Sequence, residues 1–134
     1  MSSEVITKND LTNILNEILP SAGMDRIVEQ GTSGIWTYRK WNSGIAECWG
    51  RLEKASSSFT AWGSLYYNDF ATATNYPFEF VDVPICQIAS ENSQIYVLGH
   101  FDHSTTALGT IRTGHNGTSS VVVQVAVYSI GRWK

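Results

Sequence analysis

The chain has 134 residues, which suits one domain able to bury roughly two-thirds of its unfolded surface. Only 16% of the residues are charged and the net charge is −3, so the basic footprint that nucleic acid or an anionic membrane calls for is missing. Aromatic residues make up 12%, five of them Trp, beside many Gly, Ser and Thr, the profile of a β protein with adhesive surfaces.

No apolar run is long enough to span a bilayer, and Met1-Ser2-Ser3-Glu4 does not open a signal peptide. The expectation is a chain made and folded in a cytosol. Cys48 and Cys86 fall in strand-like stretches and read as buried thiols rather than a disulfide in that compartment.

Residues 1–24 are expected to form an amphipathic helix and a linker. Thr7-Lys8-Asn9-Asp10 resembles a capping box, and Leu11, Ile14, Leu15, Ile18 and Leu19 follow with helical spacing until Pro20. At about 15 Å such a helix does not persist alone, so its stripe must dock, either on its own domain or in a parallel bundle with other copies. Residues 25–134 carry the rest of the fold, without a further helix.

Arg26–Gly31 reads as a strand leading into a hairpin over Gly34–Gly50, with Asn42-Ser43-Gly44 as a three-residue loop. That loop pairs Arg39 with Glu47, Thr37 with Trp49 and Trp41 with Ile45 on one face. On the other it pairs Trp36 with Gly50, Tyr38 with Cys48 and Lys40 with Ala46, large against small as a packed interior needs. Aromatic bulk on both faces implies that one covers the core and the other meets something else. Trp36 and Trp49 are accordingly assigned to core or subunit interface.

The hairpin extends to Arg51-Leu52-Glu53. Phe59–Tyr67 is expected to be one strand, Asn68–Tyr76 a polar loop, and Phe78–Ala89 an apolar run with a bulge or sheet edge at Pro84. Gln94–Phe101, Ala107–Thr113 and Ser119–Ile130 complete the strands, with Gly114-His115-Asn116-Gly117 as a turn. Short strands with regular turn signals indicate a mainly β, antiparallel sandwich with one short N-terminal helix.

Three segments together carry a resemblance: Gly34–Gly50 with its closing Cys-Trp-Gly, Tyr76-Pro77-Phe78-Glu79-Phe80 with Val83-Pro84-Ile85, and the ending Val127-Tyr128-Ser129-Ile130-Gly131-Arg132-Trp133-Lys134. Over about residues 26–134 the chain is similar to receptor-binding tips of bacteriophage and prophage tail fibres and baseplates. The resemblance implies an H-type lectin-like sandwich, a homotrimer, other phage tail proteins as partners, a place in the virion after assembly in the bacterial cytoplasm, and attachment to a host cell-surface saccharide.

Catalysis, metal and cofactor are each weighed against simpler roles. Glycoside hydrolysis needs two carboxyl groups about 5 to 10 Å apart, and Glu47, Glu79, Asp82 and Asp102 are not paired in the sequence. His100, His103 and His115 lack the convergent spacing of a metal site, and no Gly-X-Ser-X-Gly elbow is present. The reading is therefore non-enzymatic, without metal or cofactor.

Saccharide binding needs aromatic faces and a few polar groups to orient hydroxyls. The loops supply Tyr66, Tyr67, Asn68 and Asp69, then Asn75 and Tyr76, Asp102 and His103, and Arg112, His115 and Asn116. Arg132 and Trp133 suit either an interface or a ligand contact. The rival readings are a polysaccharide-degrading tip enzyme and a trimerising module with no ligand.

Overall fold

The computed structural model describes residues 7–21, 24–117 and 120–134, with side chains described at 7–14, 24–55, 58–70, 74–117 and 120–134. Helix α1 spans Lys8–Ser21. Its start is a reciprocal cap: the Thr7 hydroxyl accepts from the Asp10 amide and the Asp10 carboxylate accepts from the Thr7 amide, both at 3.1 Å. The helix runs one residue past Pro20, and Leu11 and Ile14 of its expected stripe are exposed. Leu15, Ile18 and Leu19 lie outside the described side chains.

Strands β1 (Ile27–Ser33), β2 (Trp36–Trp41) and β3 (Ile45–Ser57) form a meander. The β2–β3 register is the one the three-residue loop demands, with Thr37 opposite Trp49, Tyr38 opposite Cys48, Arg39 opposite Glu47 and Lys40 opposite Ala46. Gly44 closes the loop at φ +102°, a conformation that suits glycine, and its amide donates to the Trp41 carbonyl at 3.0 Å. Asp25 braces the same turn, accepting from the Ser43 amide and hydroxyl.

The stretch expected as a single strand over Phe59–Tyr67 is instead a second hairpin. β4 (Thr60–Trp62) turns at Gly63, φ +61°, into β5 (Leu65–Asn75). β5 also takes over most of the polar segment expected as a loop, because pairing with β8 (Ala107–His115) satisfies its backbone. β6 (Ile85–Ser90), β7 (Tyr96–Phe101) and β9 (Val121–Arg132) complete the fold. Gly114 and His115 belong to β8 rather than to a turn.

The strands form two antiparallel sheets, ordered β1-β2-β3-β9-β6 and β4-β5-β8-β7. Their inner faces bury Trp36, Ala46, Cys48, Val123, Val125 and Val127 from one sheet against Phe70, Leu108 and Ile111 from the other. This is an antiparallel sandwich with alternating in–out patterning along β9. Cys48 and Cys86 both pair with Ser129 across β9, which places them about 10 Å apart, too far for a disulfide.

The segment between β5 and β6 plugs one end of the core. Tyr76 packs on Trp36 at 5.5 Å and on Phe80 at 5.1 Å, while Phe78 lies 4.8 Å from Phe80. Backbone bonds from Tyr76 to Thr106, Phe80 to Thr105 and Val81 to Arg132 fix the plug to both sheets. Trp133 closes the edge beside it, half-buried against the core with its indole N–H on the Trp41 carbonyl at 2.8 Å.

Candidate functional site

Pairing β4, β5, β8 and β7 side by side builds a patch on the outer face of the smaller sheet. Trp62 and Tyr67 come from the β4–β5 hairpin, Asp69 from β5, Arg112 opposite it on β8 and Phe101 from the end of β7. The Arg112 guanidinium lies among three rings, 4.5 Å from Tyr67, 5.2 Å from Trp62 and 5.3 Å from Phe101. It also grips Asp69 with both ends, Nε to Oδ1 at 2.7 Å and Nη2 to Oδ2 at 2.9 Å.

Each part of the patch orients another. Cation–π contact and the two-pronged ion pair hold Arg112 flat, and the Trp62 and Tyr67 rings meet edge to face at 5.7 Å. Hydrogen bonding from Arg112 holds the Asp69 carboxyl below the usual carboxylate range. Trp62 nevertheless stays 51% exposed, so an aromatic surface remains open to a ligand. Flat rings beside fixed donors and acceptors can stack on the C–H face of a sugar and bond its hydroxyls.

Of the residues named from sequence, Tyr67, Asp69 and Arg112 meet in this patch. Tyr66 and His115 pair across the same strands but lean on the core side, His115 against Phe59 at 5.5 Å. Asn68 turns to Ser58 and Lys54. Asn116 is exposed beyond the end of β8. At the other end of β8 lie Asn75, whose carbonyl accepts from the Trp36 indole, and Asp102 and His103 in the β7–β8 connection.

These two ends are separated by the length of β8, about 27 Å for its eight steps, so the residues named from sequence do not form one cluster. Tyr76 is placed in the core at 6% exposure, its hydroxyl on Cys86 Sγ at 3.1 Å, because the plug folds inward there. Trp62 and Phe101, which the sequence did not single out, complete the patch. Gly63-Ser64 after Trp62 was the available signal for a hairpin that would expose that ring.

His103 stacks on His100 at 4.5 Å, and the His100 Nε2–H donates to the Leu108 carbonyl at 2.5 Å. Burial pushes the His100 pKa down, which keeps the ring neutral. Among the described residues no three His, Cys, Asp or Glu converge in the manner of a metal site.

The outer face of the larger sheet is apolar at one end. Ile130 and Ile85 extend the Arg39–Glu47 row, Ile45 lies beside it, and Val81 and Val83 precede β6. Ile85 is 72% exposed and Ile45 44%. This is the second aromatic and aliphatic face that the hairpin pairing implied, and among the described residues nothing covers it.

No family profile and no curated protein matches the chain. Among solved structures it is similar to an N-truncated R1-type pyocin tail fibre, at 12% identity over 87% of this chain and 94% of that one, with a TM-score of 0.47. It is similar also to a C-terminal portion of the R1 pyocin fibre of P. aeruginosa, at 13% identity and a TM-score of 0.49, over 84% of this chain and 30% of that one. An N-truncated R2-type pyocin tail fibre matches at 11% identity and a TM-score of 0.45, over 96% and 53% of the two chains.

Proposed function

We propose that this chain is a non-enzymatic receptor-binding module of the phage tail-fibre kind, which attaches to a host cell-surface saccharide. The observation that carries the reading is the Trp62–Tyr67–Phe101 surface around the Arg112–Asp69 pair, open to solvent and held rigid by four strands. Sugar stacks on the exposed ring, and the paired polar groups orient its hydroxyls. Asp102 and His103 at one end of β8 and His115 and Asn116 at the other flank this face as contacts for a longer saccharide.

Copies assemble as a homotrimer through the isoleucine end of the larger sheet and dock with other tail proteins in a virion. Three weak sites on one particle then act together, which raises attachment without new contacts. Binding without cleavage is supported by the state of the carboxylates. Asp69 is held ionised by Arg112, whereas a general acid needs a raised pKa, and the Glu47 carboxylate is taken up by Arg39 and Tyr128.

A bacterial glycan array probed with the protein, followed by a reducing-end assay on whatever it retains, tests the reading. Retention without new reducing ends is expected. Release of reducing ends would make the chain an enzyme, and no retention would leave a structural module.

A further inference from the structure

The larger sheet carries a second concave feature, on its outer face and on a different sheet from Trp62. Two neighbouring cross-strand rows define it. Trp49, Tyr128 and Gln87 lie side by side on β3, β9 and β6, and Arg51, Ala126 and Ala89 form the next row. Two alanines beside two rings leave a trough of about 740 Å³ lined by both rows. Small-ligand sites span roughly 300–1,000 Å³, so the hollow is large enough for one or two sugar rings.

Both rings are braced before any ligand arrives. The Tyr128 hydroxyl donates to Glu47, whose carboxylate lies 4.0 Å from the Arg39 guanidinium, and Arg39 stands 5.2 Å from the Trp49 ring. In the second row Arg51 Nε donates to both Glu91 oxygens, at 2.8 and 3.1 Å. A fixed pair of aromatic side chains beside an unobstructed floor costs little ordering entropy on binding.

The charges decide the class of ligand. Arg39 cancels Glu47 and Arg51 cancels Glu91, so the trough offers no net field to an ion. The Arg51 side chain is 80% exposed, and sealing a flat protein surface over its ion pair would remove water that the attraction does not repay. A polyhydroxylated ring replaces that water with its own hydroxyls.

The geometry points to this trough as a binding site for a neutral hexopyranose, its C–H face on Trp49 and Tyr128 and its hydroxyls on Gln87 and Arg51. The site is independent of the Trp62 face. It lies one cross-strand row from the isoleucine end.

The test is titration of ¹⁵N-labelled protein with the methyl glycosides of glucose, galactose, mannose and N-acetylglucosamine, reading the Trp49 indole N–H. At least one glycoside is expected to shift that signal with a dissociation constant in the millimolar range, and Ala126→Leu, which fills the floor and removes no ring or charge, weakens it about tenfold or more. Trp62→Ala leaves this titration unchanged, which separates it from the other face. Ala89→Leu on exposed β6 gives the same readout should Ala126→Leu not fold. The assignment is overturned if none of the glycosides moves Trp49 at about 100 mM, well above millimolar affinity. It is overturned equally if both leucine variants titrate like the parent, or if they change the sedimentation mass, which would assign the trough to contacts between copies.

Discussion

Gly131 lies directly beneath Phe80: a Cβ on Gly131 would come within 2.8 Å of the Phe80 ring and 3.3 Å of the Pro84 Cα. The Ile-Gly-Arg ending and the Pro-Phe segment are thus two halves of one contact, the aromatic plug seated on the last strand. Phe80 is 1% exposed and packed against Tyr76 and Phe78. Gly131→Ala should therefore destabilise the fold by about 1–3 kcal/mol through overpacking. Urea unfolding of both proteins measures it, and an unchanged midpoint would mean that the plug is not seated as described.

The Asp69–Arg112 pair makes part of the stability dependent on pH. Because the folded Asp69 pKa is lowered, the unfolded chain binds the proton more readily. The contribution is complete above the ordinary carboxylate value near ~4 and is lost as pH falls below it through the folded value. Asp69→Asn should flatten the acid limb of the stability curve and, for a partly exposed pair, cost at most about 1 kcal/mol at neutral pH. Melting temperatures from pH 7 down to about pH 2 provide the check.

Burial pushes the Cys48 thiol up to about 12, so almost none is thiolate at neutral pH. Cys86 Sγ is engaged by Ser129 at 2.9 Å and by Tyr76 at 3.1 Å. Modification of Cys48 by a disulfide reagent should follow the rate of unfolding, increasing with urea, while the half-buried Cys86 reacts ahead of it. Rapid reaction of Cys48 in the folded protein would contradict its burial. Prolonged air oxidation should leave no Cys48–Cys86 bridge on peptide mapping.

Assembly through the isoleucine end predicts a clean separation of fold from mass. Ile85→Lys changes an exposed side chain on an edge strand, so stability should move by no more than about 0.5 kcal/mol. Sedimentation equilibrium should show the parent at three times 14.8 kDa and the variant shifted toward a single copy. Equal masses would remove that surface from the assembly.

The hairpin register was legible because a three-residue loop and a period of two leave one pairing that buries Trp36 and Cys48 together. The second hairpin was obscured by the aromatic run through Trp62, although Gly63 at φ +61° marks its turn. Asn68–Tyr76 reads as a loop from its Asn, Asp and Thr content, and only pairing with β8 makes a strand of it as far as Asn75. The same cause hid the patch: Trp62, Tyr67, Phe101 and Arg112 stand on four strands and become neighbours across the sheet, not along the chain.

The most direct test of saccharide attachment compares the parent and Trp62→Ala on a bacterial glycan array. Trp62 is half exposed, so its removal spares the core while stripping the open ring from the patch. The account predicts that the parent retains at least one surface glycan and that the variant, equally folded, loses retention by about tenfold or more, as truncation of an aromatic anchor does. Equal retention by the two proteins would contradict it.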